Sequence, residues 1–132
     1  MIATSFWEAY VEGRNPVDKG KLGWKIKFGK YSLTGYHFFI FYVMWPLLIT
    51  LPLVVHGWDT RLFGILLSAY ASGAVLEDFM WYVVNPVVKI RELFYGDFAD
   101  YYPRVKIGQI KIPLFYFIGT SIALLSWYFL WR

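Results

Sequence analysis

The sequence contains no cysteine. Disulfides, thiolate metal sites, cysteine nucleophiles and iron–sulfur clusters are therefore excluded, and the redox compartment leaves no mark on the chain. Charge is scarce. Asp, Glu, Lys and Arg make up 17% of the 132 residues, against ~25% in an ordinary soluble domain. Histidine occurs only at His37 and His56. No GxSxG, P-loop, GxGxxG or HExxH pattern is present, which removes the common hydrolase, nucleotide and zinc-protease signatures. The first 30 residues hold no apolar h-region, so no cleavable signal peptide is expected and the first apolar run must act as the targeting signal. No internal repeat and no low-complexity stretch stands out.

What the chain has in excess is apolar and aromatic surface. Hydrophobic residues make up 58% and aromatic residues 23%, with a mean hydropathy of +0.45. A soluble core of this size cannot hide so many large rings, whereas Trp and Tyr collect at the two interfaces of a membrane. Three apolar runs are long enough to cross a hydrocarbon layer ~30 Å thick as helices: residues 36–55, 62–84 and 112–131. The length allows one membrane domain. The expected fold is an all-α integral membrane protein with three transmembrane helices and short interfacial amphipathic helices.

Cationic residues set the orientation. Arg14, Lys19, Lys21, Lys25, Lys27 and Lys30 precede the first run, and Lys89, Arg91, Arg104, Lys106 and Lys111 lie between the second and third. Only Arg61 and Arg132 lie on the other side, so the count is eleven against two. The positive-inside bias makes the N-terminus cytoplasmic and puts the C-terminus outside. The stretch from Lys19 to Lys30 reads as a contact for anionic lipid headgroups, and nucleic acid is not an expected partner.

Local signals fill in the rest. Residues 1–33 read as a cytoplasmic interfacial segment. Ser5-Phe6-Trp7-Glu8 has the form of a capping box and predicts a short helix from Phe6 to about Glu12. The segment "KLGWKIKFGK" reads either as a short strand or as a basic surface stretch. Pro46 and Pro52 should bend span 1 and require neighbouring helices to satisfy the freed carbonyls. Gly64, Ser68 and Ser72 form one small-residue row on span 2 and Ala69 and Gly73 another, both suited to close helix packing. On span 3, Gly119, Ala123 and Ser126 or Trp127 form a comparable seam. Residues 85–110 read as a cytoplasmic amphipathic segment, in which Asn85 caps a helix with Pro86 at its first position and Ile90, Leu93, Phe94 and Phe98 share one face.

Glu77 and Asp78 demand a chemical account. At ~1.5 Å per residue, Glu77 lies ~12 Å from Asn85 along the helix, inside the apolar layer. An acidic side chain at the centre of a span costs roughly 2.5–3.5 kcal/mol. The pair must therefore be buried against protein, partnered, protonated or bound to a cation. Helical spacing gathers Glu77, Asp78, Trp81, Tyr82 and Asn85 on one polar, aromatic-edged face. Tyr42 on span 1 and Tyr116, Thr120 and Ser121 on span 3 lie at comparable depths, and His37 sits near the end of span 1. Three readings stay open. The carboxylates are polar glue between helices or toward a partner subunit; or they form, with His37, a metal or cofactor site with or without catalysis; or they carry protons or cations through an oligomer. The first makes the chain a non-catalytic subunit or stabilising component of a larger membrane complex or homo-oligomer.

At 77–86, "EDFMWYVVNP", the chain resembles a group of small prokaryotic polytopic membrane proteins of uncharacterised function. Their element is similar to E-D-x-x-W-(F/Y)-x-x-N-P at the end of a span, and a later Pro-x-x-Tyr, here Pro113 to Tyr116, opens another. The resemblance implies a prokaryotic inner or plasma membrane and a unit formed by Glu77, Asp78, Trp81, Asn85 and Pro86. The group also carries a Trp-His element after the Asn-Pro. This chain has no His beyond Asn85, so a metal site drawing on such a His has no counterpart here.

Overall fold

The computed structural model describes residues 1–29, 31–96, 98 and 101–132, with the side chain of Lys19 left aside. Lys30 and the Lys19 side chain, both counted in the basic stretch, thus lie outside the described residues. The chain runs α1 (Ile2–Glu12), α2 (Lys19–Leu22), β1 (Lys25–Phe28), β2 (Tyr31–Thr34), α3 (Gly35–His56), α4 (Thr60–Val84), α5 (Ile90–Tyr95), β3 (Arg104–Ile107), β4 (Ile110–Pro113) and α6 (Leu114–Trp131). Helices α3, α4 and α6 are long and apolar enough to cross a membrane and coincide with the three expected runs.

The all-α expectation is corrected by two antiparallel hairpins, β1–β2 and β3–β4. The strand reading of "KLGWKIKFGK" holds at β1, and β3–β4 falls inside the stretch expected to be an amphipathic segment. Each hairpin turns on a glycine at φ 61°, Gly29 and Gly108. Glycine takes this left-handed conformation at no steric cost, and it suits the twist of a two-residue hairpin turn. The β-branched and aromatic residues around each turn then favour strand over helix.

Helix α4 is the centre. Asp59 caps it, its Oδ1 accepting from Leu62 N at 2.6 Å. Span 3 lies close along it: Ser68 Oγ donates to Ala123 O (2.9 Å), Ser126 Oγ to Gly64 O (2.8 Å) and Trp131 Nε1 to Ser68 Oγ (2.9 Å). A Cβ at Gly119 would come within 2.7 Å of Val75 Cγ2 and 3.1 Å of Ala71 O, so the two backbones touch there because position 119 has no side chain. The expected rows are half realised. Gly64 and Ser68 face span 3, and Gly73 meets Met1 of α1. Ala69 and Ser72 are exposed, and Ser72 Oγ only donates back to Ser68 O. Ala71, which holds the contact with Gly119, lies between the two rows.

Span 1 touches α4 through Tyr70, whose hydroxyl donates to Phe41 O. The cause is Pro46. Residues Phe38–Met44 form a widened, π-helical turn, in which the donor for Phe41 O would be the amide five residues on. Proline has no N–H, so the orphaned carbonyl is satisfied from the neighbouring helix.

Helix α1 does not begin at Phe6, and the capping box does not form. The helix starts at Ile2, and Ser5, inside it, donates its hydroxyl to Ile2 O at 2.8 Å. The helix packs alongside the second half of α4, with Met1 at Gly73 and the Gly13 carbonyl accepting from Asn85 Nδ2 at 2.9 Å. Asn85 does not cap a helix at Pro86. Its Oδ1 accepts from Val87 N and Val88 N (2.9 and 3.0 Å), closing an Asx turn, and α5 starts only at Ile90. Leu93 of that helix is fully buried with Trp81, Tyr82, Val88 and Tyr102 in the core, while Ile90 is exposed.

The layout shows a duplication that pattern reading along one chain does not. Helix α1 leads to Asn15-Pro16-Val17, a short helix, a hairpin K-x-K-F-G and span 1; helix α4 leads to Asn85-Pro86-Val87, a short helix, a hairpin R-x-K-I-G and span 3. Counted back from the Asn, Glu8 matches Asp78 and Glu12 matches Tyr82; counted on from the turn glycine, His37 matches Tyr116 and Ile40 matches Gly119. The expectation of no repeat is thus corrected. The two copies differ by nine residues in spacing and in most side chains, which hides them from a fixed-period search. They join where Ser32 N donates to Tyr101 O at 3.0 Å.

Candidate functional site: a buried carboxylate and histidine cluster

The expected single polar face of α4 divides into two. Glu77, Trp81 and Asn85, four apart, point at α1: Glu77 stands beside Glu8, Trp81 beside Glu12, and Asn85 reaches Gly13. Asp78 and Tyr82, also four apart, point the other way. Tyr116 OH donates to Asp78 Oδ2 at 2.7 Å, and the Tyr82 and Tyr102 hydroxyls lie 3.0 Å apart. The spacing of four explains both rows; adjacent carboxylates on one helix look in different directions.

The helix opposite supplies what was not foreseen. Ser5, Glu8, Ala9 and Glu12 form the buried face of α1, while Phe6, Trp7 and Tyr10 are exposed. Glu8 and Glu12 are 3% and 5% exposed. His37, at the start of span 1, places Nε2 2.8 Å from Glu12 Oε1. Its Nδ1 lies 2.6 Å from Thr34 Oγ1. The tautomer that donates Nδ1–H to Thr34 leaves the Nε2 lone pair facing the carboxylates, the arrangement by which a neighbouring oxygen orients a ligating imidazole.

Glu8, Glu12 and His37 bring one ligand atom each to within 4.8 Å of one another. Glu77, 4% exposed, adds a fourth group. Glu8 Oε1, Glu12 Oε1 and Glu77 Oε1 are all buried without a geometric hydrogen-bond partner among the described residues, although Glu77 stands within hydrogen-bonding reach of the Glu8 carboxyl, and His37 and Trp81 within reach of Glu12. Burial pushes the Glu8 carboxyl up to about 7, with the Glu77 hydrogen bond lowering it and the charges of Glu12 and Asp78 raising it. Burial also raises Glu12, against the lowering effect of His37.

These groups form the polar end of a cavity of about 490 Å³. Its walls toward the middle of the spans are apolar: Leu67, Ala71, Ala74, Val75, Ile118 and Ile122. Of the partners expected for the acidic pair, Tyr116 holds Asp78 and Tyr42 lines the cavity, while Thr120 and Ser121 are exposed. His37 faces Glu8 and Glu12, and Asp78 is engaged by Tyr116. His56 is exposed at the far end of span 1. Glu8 and Glu12 escaped sequence reading because the capping-box pattern accounted for Glu8 and because α1 was read as a surface helix. The available signal is their spacing of four opposite an aromatic-rich face of Phe6, Trp7 and Tyr10. No known family, curated protein or solved structure matches the chain.

Proposed function

We propose that the protein holds a divalent first-row transition-metal ion within the membrane, ligated by Glu8, Glu12 and His37 with Glu77 beside them. One observation carries this reading: Glu8, Glu12 and His37 bring one ligand atom each to within 4.8 Å of one another, in a pocket where an Oε1 of Glu8, of Glu12 and of the neighbouring Glu77 is buried without a geometric hydrogen-bond partner among the described residues. Buried unpaired charge costs several kcal/mol, and a dication offsets that cost at the point where the carboxylates meet. Carboxylates with an imidazole suit Mn, Fe or Zn, whereas sites built from oxygen alone suit Mg and Ca.

The cationic asymmetry supports a cytoplasmic N-terminus, with the site at the cytoplasmic side and the basic hairpin β1–β2 against anionic headgroups. The resemblance at 77–86 supports a prokaryotic plasma membrane. The test is elemental analysis of protein purified from its native membrane in mild detergent without chelators. Stoichiometric Mn, Fe or Zn, lost in Glu12→Gln, is expected; metal-free protein, or metal indifferent to that substitution, would defeat the reading.

A second reading, a stabilising subunit of a larger membrane complex, is favoured by one observation. The most apolar windows of spans 1 and 3 bury only 6% of their residues within the chain, leaving wide faces for lipid or for other subunits. Co-purification of defined membrane partners, with no metal present, would favour it over the metal site.

A further inference from the structure

The cavity joins two chemistries. Its polar end holds Glu8, Glu12, His37, Glu77 and Asp78, and between the three spans it continues as a mostly apolar slot edged by Tyr42 and Tyr70. Its volume of about 490 Å³ lies in the range of small-molecule sites, ~300–1,000 Å³. Three of its lining residues are at the perimeter of the bundle: Tyr42 is 58% exposed, Ile118 51% and Ile122 40%. These residues give the slot a lateral opening between spans 1 and 3, through which a ligand can enter from the bilayer.

The head that such a ligand presents is restricted by charge. No Lys or Arg lines the cavity among the described residues, and four carboxyl groups do. A carboxylate or phosphate head is repelled by them, and an ammonium head competes with the metal for the same oxygens. A neutral oxygen, by contrast, fills an open coordination position of the ion. We infer that the slot binds a single-chain lipid amphiphile with a neutral oxygen head, a long-chain alcohol or carbonyl, its head at the Glu8–Glu12–His37 cluster and its tail along Ala74, Ile118 and Ile122. This rests on the metal reading above.

The test uses the full chain in detergent micelles, loaded with Mn(II), and a tritiated long-chain fatty alcohol as probe. Saturable binding is expected, displaced by unlabelled alcohol and not by the matching fatty acid. Ile122→Trp puts an indole across the mouth at an exposed position, where folding is unaffected. It should weaken alcohol binding about tenfold or more while Mn(II) content stays at the wild-type level. Ala74→Leu, deeper in the slot, should do the same. Full Mn(II) occupancy with no saturable alcohol binding, with equal displacement by the fatty acid, or with binding unchanged in both variants overturns the amphiphile and leaves the metal site standing. Failure to take up Mn(II) at all overturns the metal reading and this inference with it.

Discussion

The two halves of the molecule are built on one plan and equipped differently. In the first, the position eight residues after the turn glycine is His37, facing Glu12; in the second it is Tyr116, donating to Asp78. Where the first has Glu12, the second has Tyr82, tied to Tyr102. The second half thus satisfies Asp78 with a phenol and has no imidazole. The first half, joined by Glu77, leaves three buried carboxylate oxygens without a geometric hydrogen-bond partner among the described residues. Position eleven after the glycine is Gly119 in the second half, where span 3 lies against the α4 backbone; in the first it is Ile40, a buried side chain. On the proposed metal reading, one copy serves as scaffold and the other gathers ligands.

The largest expected effect comes from making the first half like the second. His37→Tyr replaces an imidazole by a phenol at the matched position and should abolish metal content, read by elemental analysis. Retained stoichiometric metal would break the comparison. The reverse exchange of packing, Gly119→Ile, drives a side chain into Val75 and the Ala71 carbonyl. Overpacking of this kind costs about 1–3 kcal/mol or more, seen as a lower unfolding midpoint in detergent. An unchanged midpoint would mean that spans 2 and 3 are not in backbone contact. Tyr116→Phe removes the hydroxyl that donates to Asp78 Oδ2, and leaving a desolvated acceptor unpaired costs about 1–3 kcal/mol. Metal content should not change, which separates scaffold from site.

The smallest effect concerns the clasp between the halves. Arg14, just after α1, contacts Glu92 of α5 at 2.7 Å, with moderate exposure on both sides. The hydrogen bond from Arg14, then that from the Lys89 amide, lowers the Glu92 pKa below its ordinary 4.5. A lowered carboxylate pKa adds stability above the ordinary value that is lost as pH falls through the folded one. Glu92→Gln should therefore be slightly less stable than wild type at neutral pH in low salt, with the difference closing in acid and in high salt. A difference that grew in acid would reverse the sign of this argument.

The spans were legible because an apolar run of some 20 residues has few alternatives to a transmembrane helix, and Glu77 and Asp78 stood out because charge there is costly. Pro46 announced an orphan carbonyl, though not that Tyr70 would satisfy it. Less was legible where one residue carried two meanings. Glu8 fits a capping box and a ligand set equally well, and the choice depends on where the helix starts. Packing against α4 carries that start back to Ile2. Asp78 and Asn85 are in line by spacing, yet they serve different neighbours. The twin Asn-Pro-Val elements lie 70 residues apart in changed surroundings, and only the matching hairpins identify them as equivalents.

Whether the first half binds metal and the second supports it is decided by titrating metal-free protein with Co(II) and following its visible d–d absorption. The expected bands saturate at one equivalent, vanish in Glu12→Gln and His37→Tyr, and persist in Tyr116→Phe. Bands that survive both first-half substitutions, or that depend on Tyr116 instead, would contradict this division of roles.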